Sequence, residues 1–217
     1  MEPNNKYIIS PEIQKLNKFD PKLKIAVLAS GEGTNFQELI NLSRTNKLDI
    51  DLRILITNNK KAGCLRRAIK SNIYHEVLIQ SNFKNKYDFE EKIIETLIKN
   101  EIELIVMAGW MTIISERFVE SFKNRIINIH PSILPSFKGK NSVEDALNNG
   151  SLITGCSVHF VIPEVDSGSL IIQGAVPIEK GDNIHSLTKK IHDIEHKILP
   201  IGISEAGLII REIKDKD

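Results

Sequence analysis

Two hydrophobic periods alternate along the chain. Short apolar runs bounded by turn residues stand at KIAVLAS (24–30), IDLRILITN (50–58), LIVMAGW (104–110) and RIINIH, which stops at Pro131. Runs of this length, apolar on both sides, predict buried strands of a parallel sheet. YHEVLI (74–79) predicts a further strand. Between these runs the apolar residues recur at helical spacing. Phe36, Leu39, Ile40 and Leu42 mark a helix starting near Asn35, and another is expected around Cys64 to Lys70. Phe89, Ile93, Ile94 and Leu97 mark one from Tyr87 to Lys99, and Phe118, Val119 and Phe122 a short one. Strand and helix in alternation imply a mostly parallel sheet covered on both faces, with right-handed crossovers.

The rhythm changes after Pro135. GCSVHFVI and LIIQGAVPI, joined by a turn at PEVDSGS, predict an antiparallel strand pair added to the sheet. A long helix is expected from about Asn183 to Ile203, interrupted or kinked at Pro200. A final short strand, LIIREI, should follow. The expected fold class is α/β: a Rossmann-like, mostly parallel sheet with helices on both faces and an antiparallel C-terminal strand pair. Residues 23–213 are read as a single domain, 1–22 as an N-terminal extension and 214–217 as a charged tail. The extension carries Pro3, Pro11 and Pro21 and little apolar periodicity, so a poorly ordered or loosely docked segment is expected.

Charge removes some functions from view. With 29 Lys and Arg against 28 Asp and Glu, the formal net charge is +1, and no polybasic run is present. Nothing here calls for nucleic acid. The apolar runs are strand-length, too short to span a bilayer, and residues 1–22 hold none that suits a secretory signal. Cys64 and Cys156 form no CxxC pair and no zinc pattern, which suits a reducing cytoplasm and a role as small core fillers. No metal is expected.

Three motifs could carry chemistry. Ser30-Gly31-Glu32-Gly33-Thr34-Asn35 lies between a strand and a helix, where free backbone N–H groups and the helix dipole favour an anion. Alone it is also compatible with an ordinary tight turn. It lacks the Lys of a P-loop, its spacing is not GxGxxG, and no acid follows ILITNN to hold a ribose, so a nicotinamide dehydrogenase is disfavoured. A lone phosphate monoester is the better guest. Asn128 and His130 stand at i and i+2 of a strand end, so their side chains share one side at the carboxyl edge of the sheet. An amide donor beside an imidazole suits a developing oxyanion; a strand-end His with a satisfied hydrogen bond is the bland alternative. Asp166, in the turn VDSG, matters only if the fold brings it to His130.

Taken together, ASGEGTN, MAGWM, NIHPSILPSFKG, GCSVHFV and VDSG stand in the order found in the folate-dependent formyltransferases. The resemblance runs from about Lys24 to Ile210. The NIHPS segment is general to that family, and the SGxGTN loop is similar to its glycinamide ribonucleotide branch. The resemblance implies transfer of a formyl group from 10-formyltetrahydrofolate, as co-substrate, to the amine of glycinamide ribonucleotide in purine synthesis. It implies Asn128, His130 and Asp166 as the catalytic groups. Gly33, Thr34 and Asn35 would hold the substrate phosphate, and Glu195 would contact the ribonucleotide. Met111, Thr112, Ile113 and Ile114 would line the folate pocket, with Lys86 and Asn128 also touching the folate. The partners implied are small molecules, with no nucleic acid and no membrane, for a monomer or homodimer.

The chain departs from the family pattern at Trp110, where Phe is usual, at Thr112, where a basic residue is common, at Lys86, where Arg is common, and at Pro163. Lys for Arg loses a bidentate fork. A tRNA-directed relative would be expected to carry an RNA-binding domain and a more basic surface. A deformylase would be expected to carry an N-terminal regulatory domain, and a sugar formyltransferase fits the SGEGTN loop less well. A non-catalytic phosphate-binding module would keep the Gly-rich loop but has no use for the amide, imidazole and acid together.

Overall fold

Eight strands form one mixed sheet in a computed structural model that describes residues 7–214. In chain order the elements are β1 (Ile8–Ser10), β2 (Leu23–Leu28), α1 (Thr34–Arg44), β3 (Ile50–Thr57), α2 (Gly63–Lys70), β4 (His75–Val77) and α3 (Lys86–Lys99). They continue with β5 (Leu104–Met107), α4 (Glu116–Ser121), β6 (Ile126–His130), α5 (Ser142–Asn148), β7 (Ile153–Phe160), β8 (Leu170–Pro177) and α6 (Ile184–Lys214). The strand order is β1-β8-β7-β6-β5-β2-β3-β4. Strands β2 to β6 pair in parallel, while β7 is antiparallel to β6 and to β8.

The two-residue period of a strand explains the two cores. Ile25 and Val27 point to one face, where Phe36, Leu39 and Ile40 of α1 and Ile191, Ile194 and Ile198 of α6 cover them. Ala26 and Leu28 point to the other face, against Phe89, Ile93 and Leu97 of α3 and Phe118 of α4. Both faces are therefore buried, as apolar runs without alternation require.

Three expectations need correction. LIIREI is the end of α6 and not a strand: Ile203, Ala206 and Ile210 continue the buried stripe of that helix. A short apolar run fits either state, and here packing on the sheet decides for helix. For the same reason α6 is not interrupted at Pro200, which is itself buried; the lost N–H bond is outweighed by the apolar face on either side of it.

The third correction concerns the N-terminal segment. Residues 7–22 are docked. Strand β1 pairs antiparallel with β8, Ile8 opposite Ala175. The Asn17 backbone N–H donates to Ser204 Oγ at 2.7 Å, and its side-chain amide to Glu205 Oε1 at 2.9 Å. Phe19 is only 7% exposed, and it fits because residue 207 is glycine: a Cβ there would lie 2.8 Å from Phe19 Cζ. Helix α5 was not expected from the sequence. Residues 1–6 of the extension and 215–217 of the charged tail lie outside the described residues.

Candidate active site

Strand order places the site. β6, β5 and β2 are neighbours and run in parallel, so their carboxyl ends and the loops leaving them converge on one edge, where open α/β sheets take ligands. The loops are tied together: the Ser30 N–H donates to Gly109 O at 2.9 Å, and the Met111 N–H to Ser30 Oγ at 3.1 Å.

Asn128, His130 and Asp166 do meet. His130 Nδ1 lies 3.4 Å from Asp166 Oδ2, and the Asn128 amide N lies 3.5 Å from Asp166 Oδ1. Asp166 reaches them from the turn between β7 and β8, where its backbone is left-handed (φ 49), a conformation that Asp tolerates better than most residues. The Gly139 N–H donates to Asp166 Oδ2 at 2.9 Å. Burial pushes the Asp166 carboxyl up, but hydrogen bonds from His159 and Gly139 and the charges of the two imidazoles together hold it below its ordinary value. His130 Nε2 is 2.8 Å from Phe137 O. A carbonyl can only accept, so that nitrogen carries hydrogen. The 3.4–3.5 Å contacts are long, and such contacts yield to a better acceptor.

His159 is the residue that motif reading missed. It faces Asn128 across the β6–β7 pair. Its Nδ1 is 2.8 Å from Phe160 O, and its Nε2 is 3.4 Å from the Asn128 amide N and 3.6 Å from Asp166 Oδ1. With Nδ1–H given to a carbonyl, Nε2 is the ring nitrogen that faces both partners: it donates to Asp166 when the ring is charged and accepts from the Asn128 amide when the ring is neutral. The available signal was parity: once β6 and β7 are paired, a His in GCSVHFVI falls opposite Asn128.

The Gly-rich loop forms a second cluster. Gly33 caps α1 in the left-handed conformation (φ 71), and the first N–H groups of α1 have no helical acceptor. A Cβ at Gly33 would sit 2.5 Å from Cys64 Cβ. The Asn35 amide donates to Glu195 Oε2 at 2.8 Å, joining the loop to α6. Burial pushes the Glu195 carboxyl up to about 7, against the opposing hydrogen bond from Asn35. Asn35 Oδ1 is buried with no partner among the described residues.

The segment after β5 has a different character. Met111 and Ile113 are each 66% exposed, Thr112 Oγ1 accepts from Asn58 at 2.8 Å, and Ile114 turns into the core. Lys86 opens α3 at the far end of this segment, with Nζ 3.6 Å from Glu90 Oε1.

Cys64 and Cys156 are both buried, and burial pushes both thiols up, so neither is poised as a nucleophile. Among the described residues no group of three or more His, Cys, Asp and Glu is placed to hold a metal, and no helix is long and apolar enough to cross a membrane.

The carboxyl edge of the parallel strands gathers an amide, an imidazole and a carboxylate, groups that suit a group transferase, and the loop leaving β2 on the same edge opens a helix with free N–H groups. The chain belongs to the formyl transferase family, whose profile matches residues 23–203. It is 37% identical over 182 residues to the phosphoribosylglycinamide formyltransferase of Escherichia coli (strain K12), covering 84% of this chain and 86% of that protein. It is 39% identical over 182 residues to the human trifunctional purine biosynthetic protein adenosine-3, of whose length that match spans 18%. Among solved structures, glycinamide ribonucleotide transformylase 1 from Symbiobacterium toebii superposes with a TM-score of 0.83 at 33% identity, covering 86% of this chain and 88% of that one.

Proposed function

We propose that this chain transfers the formyl group of 10-formyltetrahydrofolate to the amine of glycinamide ribonucleotide, in the cytoplasm and as a step of purine synthesis. The observation that carries the reading is the meeting of Asn128, His130 and Asp166 on the sheet edge from which the Gly33 helix start also leaves. Names borne by relatives of matching length support the choice of substrates.

The roles follow from chemistry. Attack of the amine on the formyl carbon forms a C–N bond and leaves a tetrahedral oxyanion. The Asn128 amide and the His130 ring supply N–H donors to it, in place of their long contacts. The carboxylate of Asp166 holds the His130 ring by its Nδ1 side and, through a water, carries a proton from the amine to the N10 leaving group. As the oxyanion collapses to a carbonyl, the formyl C–N10 bond breaks and N10 leaves with the electron pair; one proton leaves the amine and one reaches N10, so the transfer balances. Backbone N–H groups of Thr34 and Asn35, with Gly33 allowing close approach, hold the phosphate, and Glu195 accepts from hydroxyls of the ribose. Met111, Thr112 and Ile113 offer a surface for the folate ring, the backbone at Ile114 closes that stretch, and Lys86 offers a cation to its carboxylates.

The test is direct. The protein is mixed with 10-formyltetrahydrofolate and either glycinamide ribonucleotide or water. Loss of formyl should require the amine; equal loss in water alone would make the chain a hydrolase. Asn128→Ala should lower kcat by about 10²–10³-fold, the usual effect of removing one oxyanion donor.

A further inference from the structure

Glu90 is a buried carboxylate that the proposed reaction does not use. It is 3% exposed and sits in the second turn of α3. A buried charge of this kind is costly unless donors surround it. Its donors come from two places. Ser115 gives both its backbone N–H, at 2.9 Å to Oε1, and its hydroxyl, to Oε2. Lys86, one turn earlier on α3, brings its ammonium to 3.6 Å from Oε1.

These partners bracket the stretch assigned to the folate. Ser115 ends the segment after β5 and caps α4, its Oγ accepting from the Phe118 N–H at 3.2 Å. At its other end the segment is held by Ser30, and in its middle by Asn58. Between these ties Met111 and Ile113 carry their apolar side chains into solvent, so little packing fixes them. Ile114 packs one end of the segment into the core; the exposed part rests on its few hydrogen bonds, and the two that Glu90 accepts from Ser115 are charge-assisted, the stronger kind.

We infer that Glu90 is a positioning residue for the formyl donor: it fixes the 111–114 segment through Ser115 and at the same time sets where the Lys86 ammonium stands. This rests on the proposed function and deepens it on the donor side alone. None of its contacts reaches the Gly33–Asn35 loop or Glu195, so the ribonucleotide side should not feel its loss.

The test is a split between the two substrates. Trp110, the single tryptophan of the chain, adjoins the segment, so its emission reads binding of 10-formyltetrahydrofolate directly, alongside steady-state KM values. Glu90→Ala should raise the donor KM by about 10- to 100-fold, the scale of a small misplacement at a reacting site, and leave the ribonucleotide KM within about twofold. Glu90→Gln keeps the shape and an acceptor for the Ser115 N–H but loses the charge, and should raise the donor KM by about 3- to 10-fold. If the alanine variant does not fold, the glutamine variant alone decides. A donor KM unmoved in Glu90→Gln, or both KM values rising together, would overturn the inference while the functional reading stands. A wild-type protein that neither binds the folate nor transfers formyl would overturn both.

Discussion

The two flanks of the Asn128–His130–Asp166 cluster are built in opposite ways. On the side assigned to the ribonucleotide the polar groups are buried and already joined, Asn35 to Glu195, behind a helix start fixed by a left-handed glycine. On the side assigned to the folate, Met111 and Ile113 are exposed, and the segment is held at three points by side chains. The contrast suits what each side is proposed to recognise. A phosphate and hydroxyls are strongly hydrated, so they are bound well only by donors and acceptors held in place beforehand. A flat ring system gains mainly from apolar surface removed from water, and side chains that close over it supply that.

The sharpest way to break the comparison is Gly33→Val. The residue would need a positive φ, unfavourable for a β-branched side chain, and its Cβ would meet Cys64. The start of α1 must shift, and the ribonucleotide KM should rise by about 10²-fold. The open donor side should keep its affinity. Isothermal titration with each substrate alone checks this, and loss of folate with retention of ribonucleotide would mean that the two sides have been exchanged.

The buried side also carries a pH signature. The Glu195 carboxyl is raised from an ordinary 4.5 to about 7. The native state therefore holds a proton that the unfolded chain releases at lower pH. That contribution is fully present below about pH 4.5 and is lost as pH rises through about 7, an effect on the order of 3 kcal/mol for a shift of this size. Urea unfolding at pH 5 and pH 8 should show a larger fall for the wild type than for Glu195→Gln, which cannot ionise. Equal falls would mean that Glu195 does not hold the proton in the folded protein.

How far each side could be read from the sequence follows the same division. The Gly-rich loop and the Asn128–His130 pair are local, because strand parity alone puts two side chains on one side. Asp166 and Glu195 are remote in sequence, and only the family resemblance reached them. His159 escaped because its place depends on the register of β7 against β6, which no local pattern fixes. The central parallel strands β2 and β5 were legible from their apolar runs. The end of α6 was misread because LIIREI fits either period, and Phe19, Leu23 and the sheet beneath decide between them. Strand β1 is three residues long at the sheet edge, and its prolines-and-polar context gave no period to find.

The smallest effect tests the donor side through Lys86. Its ammonium is a point charge shared with Glu90 and partly open to solvent. Lys86→Arg substitutes a planar fork with five donors, one edge of which can stay on Glu90 while another meets a carboxylate of the folate in a bidentate pair. Exposed ion pairs contribute little, up to about 1 kcal/mol, so the donor KM should fall by only about 2- to 5-fold. The gain should shrink as salt is raised from about 0.05 to 0.5 M, since charges open to solvent are screened over that range. The ribonucleotide KM, set by buried groups on the other flank, should change with neither the substitution nor its salt dependence. A donor KM that rises instead would show that Glu90 captures the whole guanidinium. The open flank would then be limited by how its cation is shared, and not by how many donors it offers.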